Sequence, residues 1–130
     1  DNPANMFVAG FIGSPSMNFL NVILVEDGLQ LPNGQIIPLT APINGDKSVG
    51  RKLVLGMRPE HLLRSTEGAA TIIYVVEPLG TETLVQVHFE GTPMTVLLKE
   101  RIAASDGETL TLDLANAPQF LFDPETELRA

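Results

Sequence analysis

Turn-forming pairs that end in glycine divide the 130-residue chain into short segments. The pairs are Asp27-Gly28, Asn33-Gly34, Glu90-Gly91 and Asp106-Gly107. Such pairs are typical of tight hairpin turns, where glycine adopts a backbone conformation that other residues avoid. The ten prolines and eleven glycines of the chain leave little room for long helices. The sequence therefore predicts many short strands that are joined by tight turns.

Between the turns, apolar and polar residues alternate with the period of a half-buried β-strand. In the clearest case Val85, Val87 and Phe89 are predicted to face the core. His88, between two of them, is predicted to face solvent. The predicted strands cover about 22–25, 35–39, 52–56, 71–77, 83–89, 94–98, 110–114 and 119–122. Seven or eight short strands of this spacing favour a small antiparallel β-barrel or sandwich.

The strand around Tyr74 carries apolar residues on both of its faces. Ile73 and Val75 are predicted to point to one side. Ile72, Tyr74 and Val76 are predicted to point to the other side. Since both faces of such a strand must be covered, the pattern indicates a central strand or a strand of a closed barrel.

The chain is acidic and contains no cysteine. Its formal net charge is −8, and its strongest basic group, Lys47, Arg51 and Lys52, lies beside Asp46. A basic face drives binding to nucleic acids and to anionic membranes, so both are disfavoured as partners. The absence of cysteine excludes disulfides, thiolate metal sites and a cysteine nucleophile.

The segment Gly45-Asp46-Lys47-Ser48 superficially resembles the end of a phosphate-binding loop. Such a loop requires glycine, four residues and then Gly-Lys-Ser/Thr, so that successive backbone N–H groups surround a phosphate. Here Asp46 separates Gly45 from Lys47, and Thr40 occupies the position of the first glycine. The segment is therefore predicted to be a polar loop that does not bind a nucleotide.

The residues alone indicate no catalytic or metal site. His61 and His88 are the only imidazoles, and neither has ligand-like spacing to other metal-binding side chains. No serine lies in the G-x-S-x-G turn of a nucleophile. The pattern of carboxylates gives no pair that converges as acid and base. The chain is therefore predicted to be an acidic β domain without enzymatic activity.

The first twenty residues differ from the rest. Asn2 is suited to cap a helix and Pro3 to begin one. Phe7 and Phe11 follow at helical spacing, which predicts a short helix over about 3–11. A helix of this length is marginal in water, so its apolar face needs a packing partner.

Four segments together resemble a known family. They are Phe7–Leu20 (FVAGFIGSPSMNFL), Leu55–Leu62 (LGMRPEHL), Val75–Val87 (VVEPLGTETLVQV) and Leu121–Ala130 (LFDPETELRA). In this order and spacing they resemble the C-terminal half of the ATPase subunits of carbohydrate-uptake ABC importers, of the maltose and glycerol-3-phosphate type. The resemblance covers nearly the whole chain.

The resemblance implies a domain organisation and a function. Residues 1–20 would close the ATPase domain, and residues 21–130 would form the regulatory TOBE domain, a small antiparallel OB/MOP-like barrel. ATP and Mg²⁺ would bind in the domain upstream, so no cofactor is expected here. The expected role is regulatory contact at the cytoplasmic face of the membrane. The expected partners are a second copy of the subunit, its own ATPase domain, the permease subunits and a cytoplasmic regulatory protein.

The resemblance also implies which residues make contacts. The candidate contacts with a partner or a second copy are Arg58, Glu60, His61, Glu77, Glu82 and Thr83. The candidate contacts with the ATPase domain are Phe7, Phe11 and Phe19. Members of the family often have glycine where Glu127 stands, so the last turn is expected to differ here.

Two other functions remain as alternatives. Related barrels bind oxyanions such as molybdate, for which the loop at Lys47-Ser48 is the candidate site here. OB-like faces also bind single-stranded nucleic acid through stacked aromatic rings with basic neighbours. The predicted strands offer mainly Tyr74, Phe89 and glutamates for this purpose.

Overall fold

A computed structural model describes Asn5 and residues 16–130, and nearly all the regular structure among them is β. The strands are β1 (Asn18–Val25), β2 (Gly28–Gln30), β3 (Ile36–Ile37), β4 (Lys52–Met57), β5 (Leu63–Leu79), β6 (Glu82–Phe89), β7 (Thr92–Leu98), β8 (Thr109–Asp113) and β9 (Phe120–Phe122). A 3₁₀ turn, Pro59–His61, joins β4 to β5. Every strand pairing is antiparallel, which confirms the predicted all-β antiparallel class. The predicted N-terminal helix lies outside the described residues except at Asn5, which forms an isolated bridge with Leu128.

The first of two compact units contains the described residues up to Arg58 together with Pro118–Ala130. Its five-stranded sheet has the order β3-β2-β1-β4-β9. The central strand β1 pairs with β4 along most of its length. Aliphatic side chains of β1, β4 and β9 bury one face of this sheet: Leu20, Val22, Leu24, Leu53, Leu55 and Leu121. The predicted domain division after residue 20 falls inside β1 and stays a prediction.

The second unit, Pro59–Ala117, contains a four-stranded sheet of order β7-β6-β5-β8. The predicted alternation of β6 is confirmed, because Val85, Val87 and Phe89 are fully buried whereas His88 is exposed. Neighbouring strands continue the same buried face with Met94, Val96, Leu98, Leu110 and Leu112. The core of this unit is therefore built from one face of its sheet.

Two-residue turns join β1 to β2, β5 to β6 and β6 to β7. Glu90 and Gly91 connect β6 to β7 with φ angles of 48° and 80°, the backbone of a type I′ turn. This turn confirms the prediction from the Glu90-Gly91 pair. The turn between β1 and β2 uses Glu26 and Asp27, and Gly28 already belongs to β2. The predicted turn at Asp27-Gly28 was therefore placed one residue too late.

Strand β5 is much longer than the predicted 71–77 and is interrupted twice. Arg64 and Ala69 both lie opposite Leu112 of β8, so the four residues between them loop out of the ladder. A glycine is required at residue 68, because a Cβ there would overlap the carbonyl oxygen of Leu112. The sequence analysis predicts no strand over residues 63–70, which form the first part of β5.

The second interruption of β5 lies at Tyr74. Ile73 pairs with Val87 and Val75 pairs with Gln86, which leaves Tyr74 without a partner in the ladder. An extra residue of this kind reverses the alternation that follows it. Ile73 is therefore buried and Val75 is exposed, although the two were predicted to share a face. The predicted central position of the strand is confirmed, because β5 lies between β6 and β8 in its sheet, although one of its faces is exposed.

Candidate partner-contact surface

Five large apolar side chains of β5 are exposed, namely Leu63 at its start and four others in its second half. Ile72 is 47% exposed, Tyr74 36%, Val75 43% and Leu79 45%. We call these four residues the β5 apolar face. A cluster of exposed apolar side chains that is bordered by polar groups is typical of an interaction site, because single soluble domains rarely leave one uncovered.

Tyr74 is held in place by a ring contact. Its phenol ring stacks on the imidazole of His88, with ring centroids 4.3 Å apart and planes inclined by 10°. His88 is exposed on the neighbouring strand β6 and lies opposite Ile72. The stack fixes the orientation of an exposed aromatic ring, which reduces the entropy that the ring loses on contact with a partner.

Two carboxylates border the β5 apolar face. Glu82 lies opposite Leu79 in the ladder, and Glu77 stands between Val75 and Leu79 along β5. Glu77 is exposed and Glu82 is half-buried. The face therefore combines apolar contact area with negative charge.

Thr83, a predicted contact residue, has a different role in this hairpin. Its side chain is buried, and its hydroxyl donates a hydrogen bond to the backbone carbonyl of Glu100 at 2.8 Å. The β5–β6 hairpin thus brings Glu77, Glu82 and Thr83 together, but only the two glutamates present side chains to solvent. The contact role of all three stays a prediction.

The other predicted partner contacts belong to two different units. Arg58 directly follows β4 in the first unit, where its buried guanidinium lies 5.6 Å from the centre of the Phe120 ring. Glu60 and His61 lie in the 3₁₀ turn of the second unit and are half-buried. The Nδ1 atom of His61 is buried and has no hydrogen-bond partner among the described residues. Arg58 therefore has a packing contact within its own unit, and the contact role of all three residues stays a prediction.

Of the three phenylalanines predicted to meet an ATPase domain, Phe7 and Phe11 lie outside the described residues. Phe19 is half-buried in β1 and meets Phe122 edge to face, with ring centroids 5.9 Å apart. It packs with Met17, Val54, Phe120 and Phe122 against the first unit's sheet. Phe19 therefore belongs to a cluster within its own unit, and its predicted contact beyond that unit stays a prediction.

The loop at Lys47-Ser48 directs its hydrogen-bond donors toward its own carboxylate. The backbone N–H and the hydroxyl of Ser48 donate to Asp46 Oδ1 at 2.9 and 2.6 Å. These two hydrogen bonds hold the pKa of Asp46 below its ordinary value, and the bond from the hydroxyl has the larger effect. Arg51 Nη1 donates to the carbonyls of Asn44 and Asp46 at 3.0 and 2.7 Å. An added oxyanion would have to displace Asp46, which disfavours the oxyanion site at this loop.

Metal-binding clusters and membrane-spanning helices are both absent from the part of the chain that the structure describes. No three histidine, aspartate or glutamate residues at 5 and 16–130 form a group able to hold a metal ion. Over the same residues, no helix has the length and apolar character that a membrane span requires.

The β5 apolar face was missed by the sequence reasoning. The apolar residues on both faces predicted a central strand, and β5 is central, but one of its faces is exposed. The signal that would have found the face is the mixed pattern of Val75–Glu82, in which apolar residues and two glutamates follow each other up to a tight turn. A strand that is covered on both faces seldom carries charges beside its apolar residues.

Comparison with known proteins agrees with this architecture. Residues 13–62 match the family model described as the MalK OB fold domain. An uncharacterised ABC transporter ATP-binding protein of Sinorhizobium fredii is 39% identical over 99% of this chain and 35% of its own length. The sn-glycerol-3-phosphate import ATP-binding protein of a Ruegeria species is 36% identical over 99% of this chain and 36% of its own. The maltose/maltodextrin import ATP-binding protein of Vibrio parahaemolyticus is 40% identical over 86% of this chain and 32% of its own length. The chain thus spans about a third of the length of these relatives.

The fold also occurs among solved structures. One of them is the cytoplasmic molybdate-binding protein ModG with molybdate bound, which superposes with a TM-score of 0.61 over 82% of this chain and 96% of that one. The sequence identity is 12%, so the likeness concerns the fold alone. Together with the family match, it confirms the predicted OB/MOP-like class.

Proposed function

Since this chain belongs to the OB fold domains of ABC importer ATP-binding subunits, we propose that it is a regulatory and subunit-contact domain without an ATPase site of its own. One observation carries the proposal. Between 86% and 99% of the chain aligns with these subunits at 35–40% identity, but the chain spans only about a third of the length of each subunit. ATP and Mg²⁺ would bind in the remaining part of such a subunit.

The proposal extends to the partners and the location. The domain would contact a second copy of the subunit, the ATPase domain and the permease subunits at the cytoplasmic face of the membrane. A cytoplasmic regulatory protein would be a further partner. The transported substrate would be a sugar, a polyol or a glycerol phosphate, because relatives are named for maltose/maltodextrin and for sn-glycerol-3-phosphate import.

A first experiment tests the absence of an ATP site. The melting temperature of the 130-residue chain is measured with and without millimolar Mg-ATP. A ligand present at a hundred times its dissociation constant stabilises a domain by about 2.7 kcal/mol. We expect no shift, and a clear rise in the melting temperature would refute this part of the proposal.

A second experiment tests the regulatory role in a complete ATP-binding subunit that carries this domain, reconstituted with its permease. The double variant Glu77→Lys, Glu82→Lys is compared with Glu26→Lys, Glu125→Lys, which changes the net charge equally at exposed sites of the first unit. We expect only the first variant to change how transport substrate stimulates ATP hydrolysis, with ATP binding unchanged. Equal behaviour of the two variants would argue against a regulatory role for this surface.

A further inference from the structure

The second unit carries most of the negative charge of the chain. Residues 59–117 include nine acidic and three basic side chains, a formal charge of −6 out of the −8 of the whole chain. The β5 apolar face lies in this unit, with Glu77 and Glu82 at its border. A partner that covers the face must therefore supply apolar contacts and accept an acidic surrounding.

A second copy of the chain is a poor match for this requirement. In a two-fold symmetric contact the same patch lies on both copies, so Glu77 and Glu82 of one copy would approach those of the other. Like charges at an interface oppose association, and here each unit adds a charge of −6. The electrostatics favour a cationic partner instead.

The form of the partner follows from the position of the face. Its four side chains stand on the surface of a sheet, and β5 is an inner strand with β6 and β8 as neighbours. Because its backbone groups are engaged in the sheet, a strand cannot be added there. An amphipathic helix is the element that commonly covers a sheet face, since it presents a single apolar stripe.

We propose that the β5 apolar face binds an amphipathic helix of a partner protein, with apolar residues on one side and lysines or arginines beside them. The helix would pack its apolar stripe on Tyr74, Val75 and Leu79, and its basic residues would pair with Glu77 and Glu82. This inference rests on the proposed regulatory function, for which it specifies the chemistry of the partner.

The test uses a fluorescent helical peptide as the probe. The peptide has about 18 residues, with leucines along one side and lysines and arginines beside them. A matched peptide carries glutamates in place of the basic residues. Fluorescence anisotropy with the 130-residue chain is expected to show at least about tenfold tighter binding of the basic peptide at low salt, and weaker binding as the salt concentration rises.

Variants locate the binding site. The double variant Glu77→Lys, Glu82→Lys is expected to bind the basic peptide about tenfold more weakly than the wild type. In the control variant Glu26→Lys, Glu125→Lys, the affinity for the peptide is expected to change by less than about threefold. The double variant Tyr74→Ser, Val75→Ser is expected to lower the affinity for the basic peptide by about tenfold or more, because aromatic anchors dominate such contacts. The matched apolar control is Ile36→Ser, Val49→Ser, at two exposed positions of the first unit.

Three results would overturn the proposal. The first is equal binding, or no binding, of the two peptides, and the second is an equal loss in the control variants. The third is a dimer in sedimentation that Tyr74→Ser, Val75→Ser abolishes, because the face would then be covered by a second copy. Far-UV circular dichroism checks that each variant is folded.

The result also separates this inference from the proposed function. Suppose that the basic peptide does not bind but the variant Glu77→Lys, Glu82→Lys alters the stimulation of ATP hydrolysis. This result would refute only the proposal that the partner is a basic amphipathic helix. Binding of the basic peptide combined with unaltered ATPase stimulation would refute the regulatory role instead.

Discussion

Replacing Gly28 by alanine should destabilise the β1–β2 hairpin more than a comparable change at any other positive-φ glycine of the described first unit. Gly28 is buried and has a φ of +144°, where side chains are strained. A Cβ at this position would overlap the backbone carbonyl oxygen of Ile37 and lie 3.2 Å from the Cα of Pro38. These are backbone atoms that cannot rotate aside, so relief requires β3 to move away from β2.

Gly34 provides the matched control. Its φ of +91° is also unfavourable for alanine, but a Cβ there would meet no atom within 4 Å. Gly34→Ala therefore measures backbone strain alone, about 1–2 kcal/mol. Gly28→Ala adds the cost of separating packed strands, which brings the expected loss to about 3–5 kcal/mol.

The assay is urea unfolding followed by circular dichroism, together with amide hydrogen exchange. Each kcal/mol corresponds to roughly 3–5 °C in melting temperature for a domain of this size, so Gly28→Ala should melt roughly 10 °C or more below the wild type. Exchange should accelerate first at Leu29 and Ile37, which pair across β2 and β3. Equal destabilisation by Gly28→Ala and Gly34→Ala would refute the steric argument.

Three further changes test other parts of the structure. Glu90→Asn should stabilise the chain by about 0.5–1 kcal/mol in urea unfolding, because asparagine tolerates the φ of 48° better than glutamate; no gain would contradict the type I′ assignment. Ser48 donates hydrogen bonds to Asp46, and Thr126 and Glu125 donate hydrogen bonds to Asp123. In the folded state these bonds hold the pKa of each carboxyl below its ordinary value of 3.8. Their contribution is therefore present above about pH 4 and is lost as the pH falls further, so Asp46→Asn should reduce the difference between urea midpoints at pH 7 and pH 3. Self-association should be weaker than about micromolar at low salt and stronger at high salt, and a tight, salt-insensitive dimer in sedimentation would contradict the role assigned to the net charge.

Local signals were enough to predict the strands that follow tight turns. The Glu90-Gly91 pair and the alternation of Val85, Val87 and Phe89 are contained in one hairpin, so the sequence specifies both register and buried face. The first part of β5 is different, because its pairing depends on β8, about forty residues later in the chain. Non-local pairing of this kind leaves no periodic mark near Arg64 or Gly68.

The candidate site was predicted in part. The resemblance to ABC importer subunits indicated Glu77 and Glu82, and both lie beside the exposed face. Ile72 and Tyr74 were predicted on one side of the strand and Val75 on the other, because the extra residue at Tyr74 cannot be recognised from alternation alone. Arg58 was predicted as a contact residue, yet its side chain is buried beside Phe120. An arginine in a turn motif looks the same in a sequence whether it stacks on a ring or meets a partner.

The extra residue at Tyr74 also affects the shape of the sheet. Because Ile73 and Val75 already pair with consecutive residues of β6, a chain without Tyr74 would form the same ladder with every later side chain on its present side. Loss of this one residue would therefore leave the core intact, while it would remove the Tyr74 ring from the exposed face together with the local increase in twist that such an insertion produces. The curvature of the exposed face, and hence its fit to a rigid partner, would thus be adjustable in evolution by a single-codon deletion without any change in the residues that hold the unit together.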